Sequence, residues 1–62
     1  MHVTPIKLRR IERGLLQLEV AAGAAIDRSR LSMIENGWKQ ATDDELRRIA
    51  HVLKTPVASL AD

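Results

Sequence analysis

Cysteine, phenylalanine and tyrosine are absent from the 62 residues, and Trp38 is the whole aromatic content. Without cysteine there is no disulfide and no thiolate metal site. That exclusion matters for so short a chain, which buries only about 60% of its unfolded surface. Disulfides, a metal or very regular helix packing usually make up the shortfall, and regular packing is what remains. Richness in Ala, Leu and Arg points the same way, to an all-α domain formed by residues 1–62. No apolar run approaches the ~20 residues of a membrane span, and the start has no signal-peptide organisation. The expectation is a cytoplasmic protein without a membrane partner. Catalysis has little to work with. His2 stands at the terminus and His51 on a helix boundary or surface; no His/Asp/Glu group has metal-ligand spacing, and no Gly-rich loop could cradle a phosphate. Asp43 and Asp44 are explained as helix-start acids. The sequence therefore predicts no enzyme, no cofactor, no metal and no small-molecule ligand.

Charge of one sign is also scarce: ten Lys/Arg oppose eight Asp/Glu, for a net +2. The distribution says more than the sum. Residues 1–30 hold six cations against three acids, and residues 31–62 hold four against five. A basic face need only cover the side that meets phosphate.

What is present centres on the stretch Gln17 to Asn36, which reads as two short helices, about Gln17–Ala24 and Arg28–Asn36, joined by a tight turn. Asp27 stands at the N-cap position of the second, where its carboxylate can accept from free backbone N–H groups. Ile26 and Leu31 have the spacing of a hydrophobic staple, and Leu15 and Val20 repeat it if Leu16 holds the preceding cap. Val20, Ala21 and Ala24 form one apolar face, Leu31 and Ile34 the other. The outer face of the second helix then carries Arg28, Ser29, Ser32 and Met33.

Gly14-Leu15, Gln17, Glu19, Ala21, Ile26, Arg28, Ser29, Leu31, Ser32 and the closing Ile34-Glu35-Asn36-Gly37 resemble the helix-turn-helix of the lambdoid phage repressor and Cro family, the xenobiotic-response-element type of bacterial regulator. The resemblance extends more loosely from about Ile6 to Leu60, and Ile-Glu-Asn-Gly is its most specific part. Two positions depart from the pattern. Leu16 replaces the usual Ser or Thr cap, leaving Glu19 half of a capping box. Ala25 stands where relatives place Gly; if it must adopt positive φ, its Cβ costs about 1–2 kcal/mol. Gly23 lowers helix propensity by roughly 1 kcal/mol relative to Ala.

The flanks complete the expectation. Thr4-Pro5 opens a first helix with Thr as cap and Pro at the first helical position. Ile6, Leu8, Ile11 and Leu15 supply apolar material to it. Asn36-Gly37 reads as a helix C-terminus, followed by the loop Trp38-Lys39-Gln40-Ala41. Thr42-Asp43-Asp44-Glu45 is a complete capping box, and Leu46, Ile49, Ala50 and Leu53 follow at helical spacing as core, with Arg47, Arg48, His51 and Lys54 solvated. Thr55-Pro56 repeats the opening signal for a last short helix with Val57 and Leu60. The sum is a compact five-helix, lambda repressor-like fold.

A helix-turn-helix lays the start of its second helix in the major groove of double-stranded DNA while the first crosses the backbone. Arg28, at that start, can take guanine O6 and N7 together. Ser29 can reach a base edge or a phosphate; Ser32 and Met33 lie one turn on, with Met33 either meeting a thymine methyl or filling the core edge. Asn36, Trp38 and Lys39 can grip the backbone, or Trp38 can pack over its loop. Arg30 points partly away from the groove. The resemblance implies that Gln17 holds a phosphate and that Arg10 pairs with Glu35 as a structural ion pair. It also implies a repressor that reads a palindromic operator as a homodimer, formed in solution or only on DNA. The surface left for the dimer is around Leu53, Val57 and Leu60, residues that could equally seal the core. The alternative is an antitoxin or other protein-interaction module built on the same fold.

Overall fold

The computed structural model describes residues 3–61, which leaves His2 outside the described residues. The elements in chain order are α1 (Pro5–Glu12), α2 (Gln17–Gly23), α3 (Arg28–Glu35), α4 (Asp43–Leu53) and a 3₁₀ turn (Val57–Leu60). No strand occurs among the described residues. The expected fifth helix is thus a single 3₁₀ turn. Thr55 does not cap it; Pro56 holds the cap position, with no side-chain bond.

Each start has a local cause. The Thr4 hydroxyl accepts from the Lys7 N–H at 3.3 Å, with Pro5 behind it. Leu16 has no side-chain acceptor, but the Glu19 carboxylate accepts the Leu16 N–H at 2.8 Å, which is the half box the sequence offers. At α4 both halves are made: Glu45 N–H to Thr42 Oγ1 at 3.1 Å, Thr42 N–H to Glu45 Oε1 at 2.9 Å. Asp27 behaves otherwise. It occupies the cap position of α3 in extended backbone, yet its carboxylate accepts no capping bond. The entry angle is held instead by Ile26 and Leu31, both buried.

The four helices end alike. After each, one residue in the left-handed region closes a 5→2 bond and the next closes a 6→1 bond, the Schellman pattern. The left-handed residues are Gly14 (φ 69°), Ala25 (56°), Gly37 (77°) and Lys54 (54°). The longer bonds run from Leu15 N–H to Arg10 O (3.1 Å), Ile26 to Ala21 (2.9 Å), Trp38 to Met33 (2.9 Å) and Thr55 to Ala50 (3.1 Å). Ala25 and Lys54 carry a Cβ where the motif favours none.

The core is aliphatic throughout: Ile6, Val20, Ala21, Ala24, Ile26, Leu31, Ile34, Ile49, Ala50, Leu53 and Leu60, with Leu15, Ala41, Leu46 and Val52 packed around it. From α1 only Ile6 enters it; Leu8 and Ile11 face outward, 43% and 54% exposed. Gly23 has a reason that its helix propensity hides. A Cβ there would come within 2.9 Å of Val52 Cγ2, so the missing side chain lets α2 close on α4.

Several carbonyls at or near chain turns are finished by side chains, four of them at 2.8 Å. Thr4 Oγ1 donates to Glu35 O at 2.8 Å, and Arg10 Nη1 to Leu15 O at 2.8 Å. Arg13 Nε donates to Leu53 O at 2.8 Å, and Arg48 Nε to Ala24 O at 2.8 Å. Arg48, expected in solvent, is therefore tied to the end of α2, and it also pairs with Asp44.

Candidate nucleic-acid interface

The base of the site is a buried charge. Glu35, 1% exposed at the end of α3, accepts Arg10 Nε on Oε2 at 2.7 Å and Arg10 Nη2 on Oε1 at 3.1 Å. Gln17 Nε2 donates to the same Oε1 at 3.0 Å. Two parallel N–H···O bonds fix the guanidinium plane as well as its position. One carboxylate thereby joins α1, the first residue of α2 and the last residue of α3. Gln17 is only half-buried, so its remaining amide hydrogen and carbonyl oxygen lie at the surface where α2 begins.

The outer side of α3 is built above this base. Leu31, Ile34 and Glu35 face inward, which turns Ser29, Met33 and Asn36 outward at helical spacing. Arg28, Ser29 and Asn36 are exposed; Ser32 and Met33 are half-buried at the margin. Among the described residues Arg28 has no acidic partner within ion-pair distance, and neither has Lys39 in the loop after α3. Trp38 does not pack over its loop. It is 76% exposed, the most exposed large apolar side chain described.

Arg30 differs from Arg28. Its Nε donates to Glu45 Oε2 at 2.6 Å and its Nη2 to Glu45 Oε1 at 2.8 Å, so it is turned towards α4. Hydrogen bonds from Arg30 and then from the Thr42 N–H hold the Glu45 carboxyl down at about 2, against the usual 4.5, and the same pairing raises the Arg30 guanidinium. Glu45 reads in the sequence only as a capping acid, and nothing in the spacing of residues 30 and 45 announces their meeting. Arg13 and Arg48 were equally illegible as carbonyl partners.

Of the three residues expected either to meet a second copy or to seal the core, two seal the core. Leu53 is fully buried and Leu60 is 4% exposed, both in the subunit core, because the 3₁₀ turn folds back onto α1 and α4. Val57, 39% exposed, is the member of the trio left at the surface.

A helix-turn-helix family profile matches residues 6–60, which is nearly the whole chain and every element just described. The chain belongs to the Cro/C1-type helix-turn-helix family. It is thus of the DNA-binding, transcription-regulating class. The restriction-modification controller protein C.AhdI from Aeromonas hydrophila has a similar fold, with a TM-score of 0.87 over 92% of this chain and 86% of that one. At 23% identity the likeness is one of fold. A comparison with curated proteins gives no significant match. No described helix is long and apolar enough to cross a membrane.

Proposed function

We propose that the chain is a transcriptional repressor that reads a palindromic operator with α3 in the major groove. The observation that carries this reading is the contrast between the two arginines of α3. Arg28 stands exposed at the first helical position with no acidic partner among the described residues, while Arg30 is bound to Glu45. A free planar fork at the groove-entering end of a recognition helix suits guanine O6 and N7. Ser29 and Met33 share its outward side and would meet base edges, with Ser32 at the margin. Asn36, Trp38 and Lys39 at the far end, and Gln17 at the start of α2, would hold backbone phosphates. These contacts set register without reading sequence.

Four or five base pairs read by one helix give limited selectivity, because each base adds only about 1–3 kcal/mol. Two copies on a two-fold site double the readout, and the exposed Val57 on the 3₁₀ turn is the place for their contact. Selection of bound fragments from random-sequence duplex DNA tests the reading. The expected result is enrichment of an inverted repeat whose half-sites contain a G·C pair that depends on Arg28. Failure to enrich any sequence would overturn it.

A further inference from the structure

We propose that Arg30 and Glu45 act as a clasp that positions the 37–42 loop, so that Trp38 and Lys39 are presented to the DNA backbone. The inference rests on the DNA-binding reading above and adds to it a pair of residues that need not touch DNA. The loop has little else to hold it. Its start is fastened to α3 by Trp38 and Lys39 N–H groups on Met33 O, at 2.9 and 3.3 Å. Trp38, Lys39 and Gln40 are all exposed, and Ala41 is the loop residue packed on the core. Between these points the hydrogen bonds to the loop backbone come from side chains.

Arg30 and Glu45 supply them from both sides. Arg30 Nη2 donates to Gln40 O at 3.4 Å in addition to Glu45, and Glu45 Oε1 also accepts the Thr42 N–H at 2.9 Å. Together the two side chains reach the middle of the loop and its end, and join both to α3. The direction of Arg30 supports this role over direct contact. Its side chain is 33% exposed and satisfied by a carboxylate that is itself 12% exposed. A phosphate would have to displace a two-bond pairing to take it.

The test uses the full chain with Arg30→Met, Glu45→Gln and the double variant, on the duplex obtained by selection. Glutamine keeps a side-chain oxygen for the Thr42 N–H, so the α4 cap survives and the ion pair alone is lost. Trp38 is the sole tryptophan and there is no tyrosine, so its fluorescence anisotropy reports loop order directly. Each single variant should bind roughly three- to thirtyfold more weakly, alike across a panel of single-base operator changes. The double variant should be no weaker than either single one. The slope of log affinity against log salt should become shallower by about 1 for each phosphate that the loop no longer neutralises. Trp38 anisotropy in the free protein should drop in all three variants, while their circular dichroism at 25 °C keeps its helical signal.

If Arg30→Met weakens binding while Glu45→Gln leaves it unchanged or tightens it, Arg30 itself contacts phosphate and the clasp is overturned. Unchanged Trp38 anisotropy in both single variants overturns it as well. A wild type that binds no selected duplex removes the DNA reading and the clasp's purpose with it. A wild type that binds, with variants that bind equally, removes the clasp alone.

Discussion

At the scale of single residues, Ala25 pays a conformational penalty that its neighbours at the other helix ends show how to avoid. It holds φ 56° with a Cβ, while Gly14 and Gly37 perform the same closure without one. The left-handed Cβ costs about 1–2 kcal/mol, of which the greater freedom of unfolded glycine takes back roughly 0.4–1. Ala25→Gly should therefore stabilise the chain by about 0.5–1 kcal/mol, and Lys54→Gly should act in the same direction. Urea unfolding at constant m decides it; a loss of stability in Ala25→Gly would contradict the strain argument. Arg28 makes a different prediction. Arg28→Ala should lose discrimination at one G·C pair per half-site by about 1–3 kcal/mol, with other positions unaffected. Equal losses across a single-base operator panel would remove its base-reading role. Gln17→Ala is a less clean comparison, since it also takes a donor from buried Glu35.

At the scale of elements, the start of α4 carries the pH dependence. Glu45 titrates near 2 in the folded chain against about 4.5 when free. Because the folded value is the lower one, its contribution to stability is fully present above about 4.5 and disappears as pH falls towards 2. The stability difference between wild type and Glu45→Gln, followed by thermal unfolding from pH 6 to 2, should shrink through that window. A constant difference would mean that the Arg30 pairing adds nothing. The helices themselves were legible because their signals are local: Thr4-Pro5, Thr42 with Glu45, and the stripe Ile49, Ala50, Leu53 act within one or two turns. Asp27 shows the limit of such reasoning, since the right residue at the right position makes no capping bond when a staple already sets the angle. Leu53 and Leu60 show another. An apolar residue near the C-terminus reads the same whether it faces a partner or its own core, and only the path of the 3₁₀ turn decides. Pairings such as Arg30 with Glu45 or Arg13 with Lys54 O, 15 and 41 residues apart, leave no mark in the sequence, whereas Arg10 with Glu35, 25 residues apart, was legible through the family resemblance alone.

At the scale of the whole molecule, the proposed two-fold assembly fixes a length along DNA. Two recognition helices on the same side of the duplex require half-site centres about 10 base pairs apart. Five base pairs inserted between half-sites should abolish cooperative binding by turning one copy to the opposite face. Ten should restore the face but leave a gap, so affinity stays low. Val57→Asp should weaken binding to the unaltered site in the same way, without the core damage that Leu60→Asp would cause. Binding measured on the selected site and both insertions separates the cases; three equal affinities would mean independent monomers.

The side chains that finish distant carbonyls have a consequence in time. Thr4, Arg10, Arg13 and Arg48 close backbone groups 31, 5, 40 and 24 residues away, respectively. Apart from the short Arg10 reach, none of these closures exists until the partner helix has docked. A lone α2 or α3 would be only a fraying turn or two, far below the ~12–15 residues at which isolated helices become marginal in water. The domain should therefore open as one unit. In native-state hydrogen exchange, the slow amides of α2, α3 and α4 should share one opening free energy, equal to that of global unfolding. A helix that exchanged early while the others stayed protected would show that its distant partner is dispensable.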